Sequence, residues 1–181
     1  MSKFIPSSRE WKHPEDLVPH LLRNYIPFES VLDVGGGPGH LASGKWGTDN
    51  VHILDIWEPA TIPLNFTQGC ALDAVAIYGP QAFDLVICSE VIEHLPKDKG
   101  PLLFEALEAV AKRIVIFTTP NGFTPQDPAA SPSEPWSNNP YQKHLCGYSK
   151  FEFIERGYAV FMNPPTPEDG AQIIAIKDVR R

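Results

Sequence analysis

Four short apolar runs punctuate the chain at Val31–Val34, Val51–Leu54, Phe83–Cys88 and Arg113–Thr119. Their apolar residues are nearly continuous rather than alternating, which reads as strands of a parallel sheet covered on both faces. Helical period fills the intervals. Leu102, Leu103, Ala106, Leu107 and Val110 share one side of a predicted helix over 102–110. From Pro14 the positions Leu17, Val18, Leu21, Leu22, Tyr25 and Ile26 predict an N-terminal helix, kinked at Pro19, with Glu15 and Asp16 in its first turn. His40 to Lys45 predict the start of a further helix, cut short by Gly44 and Gly47, and residues 59–69 are rich in turn formers. A helix over Ser149–Arg156 stopped by Gly157, then strands Tyr158–Met162 and Gln172–Ile176 joined through 163–170, close the chain. The alternation predicts an α/β fold with a doubly wound, mostly parallel sheet. It forms one domain over 1–181, with an N-terminal helical segment at 1–28 and no internal repeat.

The first run passes straight into Gly35-Gly36-Gly37-Pro38-Gly39, a turn that needs positive φ angles and close backbone approach to whatever it touches. A nicotinamide fingerprint requires glycines at relative positions 1, 3 and 6, and the sixth position counted from Gly35 is His40. The register is instead Asp33-x-Gly35-x-Gly37-x-Gly39. Asp55 ends the second run twenty residues beyond Gly35, where a carboxylate accepts both hydroxyls of a ribose. Ile56 and Trp57 follow it and are placed to cover a base.

A second constellation follows the third of the four runs. Glu90, Glu93 and His94 stand at i, i+3 and i+4, so a helix beginning there brings all three to one face at the carboxyl edge of the sheet. His144 returns from the loop after the fourth run and reaches the same crevice. Two carboxylates and two imidazoles suit either a divalent cation (Mg²⁺, Mn²⁺, Fe²⁺, Co²⁺ or Zn²⁺) or metal-free acid and base catalysis by His94 or His144. Residues 120–147 carry six prolines together with Phe123, Trp136 and Tyr141. So long and stiff a connection predicts a substrate-facing lid.

The glycine register, the later segment Gly69-Cys70-Ala71-Leu72-Asp73, and an Asp-Leu-Val-Ile strand followed by Ser89-Glu-Val-Ile-Glu-His-Leu-Pro96 resemble the class I S-adenosylmethionine (SAM) dependent methyltransferases. That resemblance implies a Rossmann-like sheet of seven strands in the order 3-2-1-4-5-7-6, ending in an antiparallel hairpin strand. It implies SAM as cofactor, with Asp33, Gly35, Gly37 and Gly39 around its amino acid tail and Asp55 on its ribose. Asp73 and the neighbouring Leu72 backbone fall to its adenine, and Ser89 is counted with the same contacts. A narrower likeness rests on Ala111-Lys112-Arg113 in place of the family's frequent Gly-Gly pair, and on Thr119-Pro120-Asn121-Gly122. Over about half the chain these residues resemble ubiquinone-pathway O-methyltransferases and small-RNA 2′-O-methyltransferases. In the metal-dependent RNA enzymes a Glu-x-x-Glu-His segment and a later His hold the ion. Glu90, Glu93, His94 and His144 match those positions, without the additional acid and histidine that flank the later one.

Composition limits the acceptor. With 15 basic and 22 acidic residues the formal charge is −7, which gives no general attraction to a phosphate backbone or an anionic membrane. No apolar run approaches a membrane span. Cys70, Cys88 and Cys146 are too scattered for a disulfide framework and read as reduced thiols of a cytoplasmic protein. The residues therefore predict methyl transfer from SAM to an oxygen or nitrogen of a small molecule, with His94, His144 and Glu90 at the chemistry. Two alternatives stay open: a metal-dependent RNA ribose 2′-O-methyltransferase, and a non-catalytic subunit of the same fold that serves a partner enzyme. The oligomeric state is not legible.

Overall fold

The computed structural model describes residues 27–39, 49–130, 132–133, 137–163 and 171–180. The expected helices at 14–26 and 40–45, and the connection at 164–170, lie outside these residues.

Seven strands form one sheet in the order β3-β2-β1-β4-β5-β7-β6. They are β1 (Val31–Val34), β2 (Val51–Asp55), β3 (Phe66–Gln68), β4 (Phe83–Ser89), β5 (Ala111–Pro120), β6 (Ala159–Asn163) and β7 (Gln172–Asp178). The first five are parallel, and β7 runs antiparallel to both β5 and β6. Every residue of β1 and the first six of β4 are buried, as continuous apolar runs require in a sheet covered on both faces. Strand order reverses between β1 and β4, and the crevice at their carboxyl ends is where a doubly wound sheet takes its ligand. Asp84 fixes the opposite end of this pair. Its Oδ2 accepts the Glu29 N–H at 2.7 Å, and its own N–H donates to Ser30 Oγ at 3.2 Å.

The edge strand β3 is only three residues long and lies inside the stretch whose composition reads as turns. Asn65 precedes it at φ 60°, and the parallel register Ile53↔Phe66 supplies the pairing that the local sequence does not announce. Helix α1 (Ala74–Tyr78) is a short turn after the Gly69–Asp73 segment. Helix α2 (Gly100–Val110) buries Leu103, Phe104, Leu107 and Val110. Phe104 thus takes the core position expected of Leu102, which falls off the edge of that face and is 48% exposed. Helix α3 (Lys150–Glu155) begins at a reciprocal cap in which Ser149 N–H donates to Glu152 Oε2 at 2.8 Å, and Gly157 at φ 84° ends it.

The two longer helices meet the sheet through an aromatic cluster. The Phe104 ring lies 4.7 Å from Phe117 of β5, 5.4 Å from Phe153 of α3 and 5.7 Å from Tyr158. Tyr158 is tied in turn to α2, its hydroxyl donating to Glu108 Oε1 at 2.9 Å. Among the described residues no helix is long and apolar enough to cross a membrane. Removing the hub ring leaves a cavity that three elements border, so Phe104→Ala is expected to lower unfolding free energy by about 3–5 kcal/mol, read from urea denaturation.

Candidate active site

The glycine turn leaves β1 with Gly35, Gly37 and Gly39 at φ 73°, 49° and 84°, conformations that side chains other than glycine adopt only with strain. At Gly35 there is a second constraint, because a Cβ there would collide with the Val91 side chain. The turn is fastened to β2. Gly35 N–H donates to the Leu54 carbonyl at 2.7 Å, and Gly37 N–H donates to Asp55 Oδ2 at 2.9 Å. The other oxygen of Asp55 accepts the Trp57 N–H at 2.8 Å. Each carboxylate oxygen offers two acceptor directions, so this anchoring leaves capacity on Asp55 for a ligand.

Gly35, Asp55, Ile56, Glu90 and His94 line one cleft at the carboxyl edge of β1, β2 and β4. The other candidate residues support it from outside its walls. Asp33 is buried under the turn, where its carboxyl lies against Gly36. The Gly37 and Gly39 amides are spent within the turn and on Asp55. Ser89 Oγ shares a 2.7 Å hydrogen bond with Thr118 Oγ1, and Asp73 is exposed at the start of α1. Ile56 lines the cleft and Trp57 does not. At the far end of the cleft the lining comes from Gly69, Cys70 and Ala71 rather than from Leu72 and Asp73. Gly69 N–H donates to the Asp55 carbonyl at 2.8 Å, a tertiary bond that fixes this register and has no local sequence signal. Asn139, Tyr141 and Gln142 from the Pro-rich loop complete the wall. Composition pointed to the loop, but only folding selects these three.

Beyond β4 the expected helix is a single 3₁₀ turn, Ile92–His94. Glu90 precedes it at φ 53°, which turns the chain. Glu90 Oε1 accepts from Thr118 Oγ1 at 3.0 Å and from Gln172 Nε2 at 2.7 Å. Glu90 therefore does not join the metal-ligand cluster expected of it. Glu93, His94 and His144 do converge, each offering one ligand atom within 4.8 Å of the others. The two imidazoles meet edge to face at 4.8 Å. His94 Nδ1 lies 3.1 Å from the Lys143 carbonyl and His144 Nδ1 lies 2.5 Å from that of Thr124. An Nδ1–H donor in each ring leaves the Nε2 lone pair as the basic or ligating site. Glu93 is buried, accepts the Thr119 hydroxyl at 3.0 Å through Oε2, and has no partner at Oε1 among the described residues.

Burial shifts the ionisable groups of this edge toward their neutral forms. Burial first, and then the Asp55 charge, raise Asp33 to about 7. Burial and the Glu90 charge push Glu93 well above the usual carboxylate range. Burial holds His94 below its ordinary value, with the His144 ring adding to the effect and carbonyls of Lys143 and Glu90 opposing it. Asp33 and Glu93 therefore hold protons into the neutral range, and Asp55 and Glu90 are the carboxyls that line the cleft.

Residues 8–156 match the model of a family described as a methyltransferase domain. The chain belongs to that family. Its fold is that of the SAM-dependent methyltransferases, as three solved structures illustrate. The 1,6-didemethyltoxoflavin-N1-methyltransferase of Burkholderia thailandensis, with bound 1,6-didemethyltoxoflavin and S-adenosylhomocysteine, superposes with a TM-score of 0.66 at 13% identity, covering 93% of this chain and 78% of that one. The methyltransferase domain of a bacterial Hen1, CtHen1-C, gives 0.61 at 15% identity over 92% and 97%. The magnesium protoporphyrin IX methyltransferase of Synechocystis PCC 6803 with bound S-adenosylhomocysteine gives 0.55 at 15% over 92% and 82%. No curated protein matches the sequence.

The buried acid beneath the methyltransferase's glycine turn has a measurable consequence. A carboxyl whose folded pKa lies near 7, against 3.8 for the ordinary group, favours folding at low pH, and that contribution is lost as pH rises through this window. Asp33→Asn removes the charge, so relative to wild type the variant is expected to gain stability between pH 5 and pH 8 in urea denaturation. Parallel pH profiles for the two proteins would show that Asp33 does not titrate there.

Proposed function

We propose that this methyltransferase moves the methyl group of SAM to an oxygen or nitrogen of a small-molecule acceptor. The observation that carries the reading is the doubly anchored Asp55, which faces the cleft beside Gly35 while its Oδ2 holds the Gly37 N–H. A nucleoside with a short zwitterionic tail matches such a site, since the acid takes the ribose hydroxyls and the compact turn admits the tail. When bound, SAM supplies a methyl group on a sulfonium that is already a good leaving group. The carboxyls of Asp55 and Glu90, which line the cleft, complement that positive charge. The chain's own contribution is to hold donor and acceptor in line and exclude water from the cleft. His94, on the cleft wall, takes the proton that the attacking hydroxyl or amine releases, an imidazole being the side chain suited to that transfer near neutral pH.

A small acceptor agrees with the −7 charge, and two of the similar structures are of enzymes named for small-molecule substrates, a toxoflavin precursor and a metalloporphyrin. Those acceptors are theirs. The likeness to a Hen1 domain keeps one second reading in play, because Glu93, His94 and His144 form a compact donor set with an orphaned buried Glu93 oxygen. These three residues fit a divalent cation with mixed nitrogen and oxygen preference, such as Mn²⁺, Fe²⁺, Co²⁺ or Zn²⁺. Such an ion would lower the pKa of an acceptor hydroxyl. Glu90, held by Thr118 and Gln172, would stand outside its ligand shell.

Two measurements test this. Asp55→Ala loses charge-assisted hydrogen bonds to the ribose and the anchor of the turn, so the Kd for S-adenosylhomocysteine by calorimetry is expected to rise at least about tenfold. Unchanged affinity would remove the cofactor assignment. Turnover on an accepted substrate after EDTA treatment separates the two roles of the histidines: loss restored by Mn²⁺ or Zn²⁺ supports the cation, whereas retained activity that falls with His94→Ala supports the base.

A further inference from the structure

Tyr141 reaches the cleft from an unexpected direction. It follows β5 in the chain, yet its ring contacts Trp57 at the end of β2, centroid to centroid at 6.3 Å. In the strand order β2-β1-β4-β5, the loop that carries it must pass over the ends of β4 and β1 to arrive there. It meets the cleft at the end where Asp55, Ile56 and the Gly69–Ala71 segment converge, which the Gly69 N–H bond to the Asp55 carbonyl holds together. The opposite end, at Gly35, Glu90, Val91 and His94, faces the chemistry.

The turn presenting Tyr141 is built rather than loose. Asn139 Oδ1 accepts the Tyr141 N–H at 2.9 Å, an Asx turn, and Pro140 fixes the intervening φ. Gln126 Nε2 donates to the Gln142 carbonyl at 2.8 Å, Lys143 pairs with Asp127 at 2.9 Å, and the Lys143 carbonyl lies against His94 Nδ1. Tyr141 is nevertheless 47% exposed, so this order is not explained by burial of its ring. An aromatic ring held at the rim of a cleft by its own backbone is a cover awaiting a flat partner. Trp57 does not line the cleft, and its contact is with Tyr141, so it backs the cover instead of forming it.

We propose that Tyr141 covers the adenine of the cofactor, with Asn139 and Trp57 as its positioning residues, so that the Pro-rich loop closes on the nucleoside as well as on the acceptor. The inference rests on the SAM reading of the cleft.

Calorimetry with S-adenosylhomocysteine and with adenosine alone, on the full chain, tests the proposal. Wild type is expected to bind both, Tyr141→Phe to match it, and Tyr141→Ala to weaken both ligands by the same factor, roughly three- to tenfold. Asn139→Ala keeps the ring but frees the turn, and should show part of that loss; it also serves if Tyr141→Ala does not fold. Equal affinity of wild type and Tyr141→Ala for S-adenosylhomocysteine would overturn the proposal, as would a loss confined to S-adenosylhomocysteine and absent for adenosine. Failure of wild type to bind S-adenosylhomocysteine would instead overturn the cofactor reading beneath it.

Discussion

One carboxylate holds the glycine turn in its working shape. Gly35, Gly37 and Gly39 all sit at positive φ, and a chain of such residues has many other conformations of similar energy. Asp55 removes that freedom by accepting the Gly37 N–H from across the β1–β2 pair, while its second oxygen secures the start of the next loop at Trp57. The register Val34↔Leu54 delivers acid and turn to the same level of the sheet. Because these bonds leave acceptor capacity on the same oxygens, the group that shapes the turn also remains available to a ligand.

The second organised region lies across β4, β5 and β7. Glu90 occupies a backbone conformation that costs an ordinary residue on the order of 1 kcal/mol or more, and surrounding bonds offset it. Its N–H donates to the Thr118 carbonyl at 3.0 Å, while its carboxyl takes donors from Thr118 and Gln172. Strain is retained where it turns the chain into a short 3₁₀ segment and aims Glu93 inward and His94 toward the cleft. The acids that result raise one another's proton affinity: Cys88 between them is pushed far up by burial, Glu93, Asp33 and Glu90. Asp33 and Glu93 thus hold their protons into the neutral range, while Asp55 and Glu90 line the cleft.

The aromatic cluster under α2 and α3 ties both helices to the sheet. Phe104, Phe117, Phe153 and Tyr158 join two helices to β5, and Lys97 extends the grip to the long loop by donating to the Gly147 carbonyl at 2.6 Å and pairing with Glu152 at 2.6 Å. The loop is thus held at its C-terminal root near the core and through Gln126 and Asp127 within itself.

Much of this was legible in the amino acids. Continuous apolar runs require strands covered on both faces, the glycine spacing departs from a nicotinamide fingerprint at His40, and an acid ends β2. The seven-strand order, the Ser149 and Gly157 boundaries of α3 and the meeting of His94 with His144 agree with those expectations. Other features depend on pairing between distant residues. The three residues of β3 become a strand only because β2 is beside them, and Phe104 replaces Leu102 because the helix rotates to fit the sheet. Glu90 leaves the Glu93–His94–His144 group because its backbone turns left-handed and Thr118 and Gln172 capture its carboxyl, 28 and 82 residues away in sequence. Gly69, Cys70 and Ala71, rather than Leu72 and Asp73, line the cleft, just past the point where β3 finishes its pairing with β2 at Asp55↔Gln68. The sequence by itself determined the elements and the chemical inventory, since periodicity and residue type act locally. Only the tertiary structure decided which acids and imidazoles meet and which loop residues line the cleft, since those outcomes follow from backbone direction and long-range hydrogen bonds.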